Sequence, residues 1–70
     1  MTQPEMVMQY IEEFGSITPL EAFADLGVYR LSACIFVLRK RGNAIETSIE
    51  ESTNRRGKTV RYARYRLAGG

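Results

Sequence analysis

The sequence predicts an α+β fold, a three-helix bundle followed by a two-stranded β-hairpin. Three observations predict it. Apolar residues recur at helical spacing in three successive segments before Gly42. The second and third of these are joined across Gly27, which leaves room only for a very tight turn. From Ala44 onward the apolar period falls to two, on both sides of a polar loop containing Asn54 and Gly57. The predicted helices cover about residues 3–14, 19–26 and 29–41, and the predicted strands about 44–50 and 59–67, within a single domain of residues 1–70.

The first helix opens on Thr2 and Glu5, which have capping-box spacing, with Pro4 in the first turn where its missing N–H costs nothing. Val7, Tyr10, Ile11 and Phe14 form its apolar stripe, Met6 and Met8 flank it as gap fillers, and Gly15 ends it. Ser16-Ile17 is a short extended link that could supply one ladder position of a sheet. The second helix has a stronger start, Thr18-Pro19-Leu20-Glu21, a capping box with Pro at the first helical position. Leu20, Phe23 and Leu26 are its expected buried positions, and Ala22 and Ala24 permit close approach of a neighbour. In the third helix Leu31, Ile35 and Leu38 lie at i, i+4 and i+7 and define the core-facing seam, bordered by Cys34. Its opposite stripe is Tyr29, Ala33, Phe36 and Lys40, and Arg39-Lys40-Arg41 suits the negative end of the helix dipole before Gly42. In the hairpin, Ile45, Thr47 and Ile49 share one side of the first strand, and Ala63, Tyr65 and Leu67 face the helices from the second. Ala68-Gly69-Gly70 is expected to fray.

Composition narrows the function. Seventy residues leave no room for a large enzyme cleft. There is no histidine and only one cysteine, Cys34, so a finger-type zinc site, a histidine general base and an internal disulfide are all excluded. No metal, cofactor, catalytic residue or small-molecule substrate is expected. No apolar run approaches the ~18 residues of a membrane span, and the N-terminus lacks a signal pattern. A cytoplasmic location is therefore expected. Net charge is only +2, but it is segregated: residues 1–27 hold five carboxylates and no base, and residues 28–70 hold all ten basic residues against three glutamates. That asymmetry gives one end of the molecule to a polyanion.

Three helices and a basic hairpin follow the winged helix-turn-helix plan, with double-stranded DNA as the expected partner. In such a module the N-terminal part of the second helix of the pair reaches base edges in the major groove, here Tyr29, Arg30, Ser32 and Ala33. Arg30 could pair with a guanine and Ala33 could lie against a thymine methyl. Thr18 and free N–H groups of the second helix could hold a phosphate. Arg39, Lys40, Arg41, Asn54, Arg55, Arg56 and Lys58 complete the candidate DNA-binding set, as phosphate ligands or, for an arginine of the tip, in the minor groove.

Two groups of residues have competing readings. Arg64 and Arg66 face away from the helices, as do Glu46 and Glu50, which makes them cross-strand ion pairs rather than DNA ligands. Phe36 and Val37 are apolar on the outer half of the third helix. Either Val37 tucks against the hairpin and Phe36 is covered by a neighbouring element, or the pair forms a contact for a second copy or another protein. The latter defines an alternative role, a winged-helix interaction module acting as homodimer, inhibitor or adaptor.

The stretches Gly15-Ser16-Ile17-Thr18-Pro19-Leu20-Glu21-Ala22, Gly27-Val28-Tyr29-Arg30-Leu31, Leu38-Arg39-Lys40-Arg41-Gly42, Ile45-Glu46-Thr47 and Tyr62-Ala63-Arg64-Tyr65-Arg66-Leu67 resemble a family of small phage and prophage helix-turn-helix proteins. The resemblance spans residues 7–67 and implies a winged-helix fold, DNA binding and a phage or prophage origin; the expected role is that of a small phage-type transcription regulator. The chain departs from the family where Cys34, Phe36 and Val37 stand in place of mostly polar or basic residues.

Overall fold

The computed structural model describes residues 1–68 of the chain. Helices α1 (Gln3–Phe14), α2 (Pro19–Leu26) and α3 (Leu31–Lys40) precede strands β1 (Ile45–Thr53) and β2 (Thr59–Leu67), the predicted order. No helix among the described residues is long and apolar enough to cross a membrane.

Both predicted helix starts form. Thr2 accepts from the Glu5 N–H at 3.4 Å. At α2 the capping box is complete: Thr18 Oγ1 accepts from the Glu21 N–H at 3.2 Å, and Glu21 Oε1 accepts from the Thr18 N–H at 2.9 Å. Gly27, at φ 68°, supplies the left-handed residue that stops α2, and its N–H bonds back to Phe23 at 3.1 Å.

α3 is shorter than predicted, beginning at Leu31 rather than Tyr29 and ending at Lys40 rather than Arg41. Val28 is the cause at its start. It is 1% exposed, and its N–H is tied to the Ala22 carbonyl at 3.0 Å, so Tyr29 and Arg30 must bring the chain back out before a helix can begin. At the other end the Asn43 N–H and Nδ2 both donate to the Leu38 carbonyl, at 3.1 and 3.0 Å, and close the last turn.

β1 and β2 pair antiparallel from Ile45↔Leu67 to Thr53↔Thr59. β1 runs past its predicted end at residue 50 because Glu51, Ser52 and Thr53 continue the ladder, with Glu51 also pairing with Arg61 directly across it at 2.9 Å. Ile17 forms the expected single ladder position, exchanging two bonds of 2.9 Å with Tyr65 on the far edge of β2. Ala68 donates to the Ala44 carbonyl at 2.8 Å. Gly69 and Gly70, the rest of the expected frayed tail, lie outside the described residues.

The core is built from Val7 and Ile11 of α1, Ile17, Ala22 of α2, Val28, the α3 seam Leu31, Cys34, Ile35 and Leu38, and Ile45. Burial pushes the Cys34 thiol pKa up. Met6, Met8, Tyr10, Leu26, Tyr65 and Leu67 pack around this cluster. Four expected positions are corrected. Leu20 (74%), Phe23 (52%) and Phe14 (63%) are exposed, and so is Ile49 (66%). α2 turns its small residue inward: Ala22 is fully buried and lets the backbones approach, and at roughly 100° per residue this swings Phe23 and Leu20 off the contact. Ile49 has the right strand parity, but the helices cover only the root of the hairpin, at Ile45, Tyr65 and Leu67.

Candidate nucleic-acid interface

The tip of the hairpin is ordered by one side chain. Asn54 Oδ1 accepts from the Arg56 N–H at 2.9 Å and the Lys58 N–H at 3.0 Å. Its backbone N–H donates to the Lys58 carbonyl at 2.9 Å, and Gly57, at φ 78°, donates to the Asn54 carbonyl at 3.0 Å. This is an Asx-type turn in which local side-chain bonding replaces the ladder. Asn54 is thus the organiser of the tip, and its carbonyl oxygen is spent on that. Arg55, Arg56 and Lys58 are exposed around it. Among the described residues they form no ion pair, nor do Arg30, Lys40 and Arg41.

The other basic residues are occupied within the chain. Arg39 donates through Nε and Nη2 to the Ile45 carbonyl, at 3.2 and 2.8 Å, and through Nη2 to Thr47 Oγ1 at 2.8 Å. Arg64 donates from Nε to Glu50 at 2.9 Å and from Nη1 to Ser16 Oγ at 2.8 Å, and Nη1 lies 3.7 Å from Glu21. Arg66 approaches Glu50 at 3.9 Å, and Arg61 pairs with Glu51 at 2.9 Å. Arg64 and Arg66 therefore make ion pairs on the sheet as expected, both to Glu50, but Arg64 does not face away from the helices: it reaches across to Ser16 and to Glu21 of α2. The Arg64 guanidinium, above all through its hydrogen bond, holds the Glu50 carboxyl below the usual glutamate range.

The residues predicted to read bases are not gathered on one face. Tyr29 and Arg30 precede α3, and Arg30 is its N-cap without a side-chain capping bond. Tyr29 is 79% exposed and packs edge-on against Phe23, with ring centroids 5.0 Å apart. Arg30, Ala33 and Val37 border a hollow of about 240 Å3 against Gln3 and Pro4 of α1. Val37 thus tucks toward α1 and not toward the hairpin. Ser32 lies seven residues before Arg39, on the flank that faces β1. Between the flanks the centre of the exposed face is Phe36, 59% exposed, with the Lys40 ammonium 5.0 Å from its ring centroid.

The start of α2 offers less to an anion than the sequence suggests. Thr18 is 5% exposed, and its hydroxyl and N–H are both engaged in the capping box. Pro19 has no N–H, and the Glu21 carboxylate sits at the same end of the helix.

Sequence reading missed three residues that build the site: Arg39 as a clamp between α3 and β1, Asn43 as the cap of α3, and Arg64 as the tie between the sheet, Ser16 and α2. The stop itself is legible at Gly42, the left-handed residue at φ 97° that lets the Asn43 N–H turn back to Leu38; the added bond from the Asn43 side chain carries no signal of its own. Arg39 and Arg64 carry none, because each partner lies on another element.

A short helix pair joined by a tight turn, backed by α1 and flanked by a hairpin with a cationic tip, defines the class of winged helix-turn-helix modules. The chain belongs to the winged helix-turn-helix domain family, which matches residues 2–70. No curated protein and no solved structure shows a significant match.

Proposed function

We propose that this chain binds double-stranded DNA as a small transcription regulator of phage type, acting in the bacterial cytoplasm and without catalysis. The observation that carries the reading is the wing tip, where Arg55, Arg56 and Lys58 sit on a turn fixed by Asn54 and have no intramolecular ion pair. Three exposed cations within four residues repel one another unless a polyanion lies against them. Lys40 and Arg41 extend the basic surface from the end of α3, and Arg30 from its start.

In this reading the tip and the α3 C-terminus bind phosphates and fix orientation. Arg30 at the N-cap of α3, and Ser32 and Ala33 in its first turn, are the residues nearest to a base-reading role, with Tyr29 beside them and Phe36 against the groove wall. Arg39 and Thr18 contribute through the structure they hold. Single modules of this kind bury only about 600–1,000 Å2 on DNA, so high specificity calls for a second copy or a larger complex.

The test is a titration of the chain against duplex DNA over a range of salt concentrations, beside an Arg55/Arg56/Lys58-to-Ala variant. Binding weakens linearly on a log–log plot, with each phosphate contact adding about 0.9 to the slope. The triple variant lowers that slope by roughly two to three. Absence of affinity at low salt refutes DNA binding, and an unchanged slope in the variant refutes the role of the wing.

A further inference from the structure

The outer edge of β2 is only partly used. Tyr65 points both its N–H and its carbonyl at Ile17, each at 2.9 Å, away from β1. In an antiparallel strand every second residue points the same way, so Ala63, Arg61 and Thr59 also present their backbone groups to that edge. Among the described residues those groups have no backbone partner. The chain that pairs with β2 at Ile17 turns off into α2 at Pro19, and the edge beyond it stays open. The corresponding edge of β1 is closed at its root, where Arg39 covers the Ile45 carbonyl.

A groove of about 510 Å3 runs beside this open edge. Its floor is the sheet face carrying Val60 and Tyr62, and its wall is the first turn of α2, with Pro19 and Leu20. Leu20 is 74% exposed and Val60 42%. Neither exposure has an explanation in the fold or in DNA binding by the tip.

We propose that this edge is a site for β-strand addition, and that its occupant is an extended peptide segment of alternating apolar and acidic residues from another protein. A polypeptide backbone supplies the alternating donors and acceptors that complete the edge. In a strand laid antiparallel to β2, the residues opposite Tyr62 and Val60 point into the groove and are apolar. The residues opposite Arg61 and Thr59 point to the other face, where Arg61 (side chain 74% exposed) favours a carboxylate. Arg61 would then stand between Glu51 and the peptide's acid. A second copy is a poor occupant, because two β2 edges paired antiparallel across a two-fold over residues 59–63 would set Arg61 against its own counterpart.

The test uses the full chain, isotope-labelled for NMR, and an acetylated seven-residue peptide of alternating valine and glutamate. Binding shifts the amides of Thr59, Arg61 and Ala63 and slows their exchange with solvent. Replacing glutamate by lysine in the peptide weakens binding, and N-methylation of its edge-facing amides weakens it roughly tenfold. Ala63→Pro removes one edge donor without touching the β1 ladder and also weakens binding. The N-methylated peptide acts on the unaltered protein, so it decides the matter even where the proline variant fails to fold. The proposal is overturned by unmoved edge amides at saturating peptide, by equal binding of the N-methylated peptide, or by shifts confined to α3. Concentration-dependent protection of the edge in the protein alone would assign it to a second copy instead.

Discussion

Arg39 closes the edge of β1 at Ile45. Its Nε and Nη2 converge on the Ile45 carbonyl at 3.2 and 2.8 Å, and the same Nη2 reaches Thr47 Oγ1 at 2.8 Å. Ile45 is a non-bonded position of the ladder, so its carbonyl points away from β2 and would otherwise lack a protein partner. A residue that reads as part of a phosphate-binding run is thereby the joint between α3 and the wing.

Replacing Arg39 should therefore cost stability where replacing Arg41 does not. Arg39→Ala loses a forked, charge-assisted contact and is expected to cost about 1–3 kcal/mol. Arg39→Lys recovers little of this, because an ammonium cannot reproduce the fork. Arg41→Ala should lie within about 0.5 kcal/mol of the wild type. Urea midpoints at constant m-value measure all three, and equal midpoints for Arg39→Ala and Arg41→Ala would remove the clamp from the account.

Arg64 and Glu50 give the fold an acid limit. The Glu50 carboxyl is held below its ordinary range in the folded chain by the Arg64 hydrogen bond. A carboxylate whose folded pKa is depressed adds stability above its unfolded value of about 4.3. That stability is lost as pH falls through the lower folded value. Melting temperature should fall as pH drops below about 4, and Glu50→Gln should flatten part of that fall while lowering stability at neutral pH. A Glu50→Gln profile parallel to wild type would show that other carboxylates set the limit.

Tyr10 and Asp25 set a limit at the opposite end. The Tyr10 hydroxyl donates to Asp25 Oδ2 at 2.6 Å and joins α1 to α2. That bond, with lesser help from burial, pushes the Tyr10 pKa up to about 12. For a group whose folded pKa is raised, the contribution is full below the unfolded value of about 10 and is lost as pH rises toward the folded one. The phenolate absorbance lost in Tyr10→Phe should therefore appear near pH 12, and that variant should be about 1 kcal/mol less stable at neutral pH. A Tyr10 phenolate forming near pH 10 would mean that the bond does not persist in solution.

The helices, their caps and the hairpin are legible because each signal is local. Thr18 and Glu21 are three residues apart, Gly27 stops a helix through its own backbone, and Asn54 organises a turn of four neighbours. The α3 seam is legible by period, since Leu31, Ile35 and Leu38 are all buried. α2 is not, because apolar residues lie around most of its circumference and size favours Leu20 and Phe23 over Ala22. Only the partner helices decide that the small residue goes inward. The candidate site divides in the same way. The cationic tip is visible in a run of four residues, whereas the capture of Arg39 by Ile45 and of Arg64 by Glu50 depends on where other elements pass.

The inverted burial of α2 makes a stability contrast. Ile35→Ala removes a side chain that is 1% exposed and should cost about 2–5 kcal/mol, enough to unfold much of a domain this small. Leu20→Ala, at a position 74% exposed, should change stability by less than about 0.5 kcal/mol. Ala22→Leu, by contrast, forces extra volume between α2 and the core and should cost about 1–3 kcal/mol. Thermal melts of the three variants check the order. A large loss for Leu20→Ala alongside a neutral Ala22→Leu would mean that α2 is rotated from the position described.

The tip permits charge and geometry to be separated, which no alanine scan of cations does. Asn54→Ala leaves Arg55, Arg56 and Lys58 in place but removes the acceptor that fixes the Arg56 and Lys58 amides. The cations then sample many directions, and ordering them on DNA costs conformational entropy that the native turn has already met. Affinity for duplex DNA should fall severalfold with the slope of log affinity against log salt unchanged, since the number of phosphates neutralised is the same. Removing the three cations lowers the slope itself. Should Asn54→Ala lower the slope as the triple variant does, the loop would be contributing contacts of its own, and Asn54 would have to be counted among the DNA ligands rather than as the scaffold beneath them.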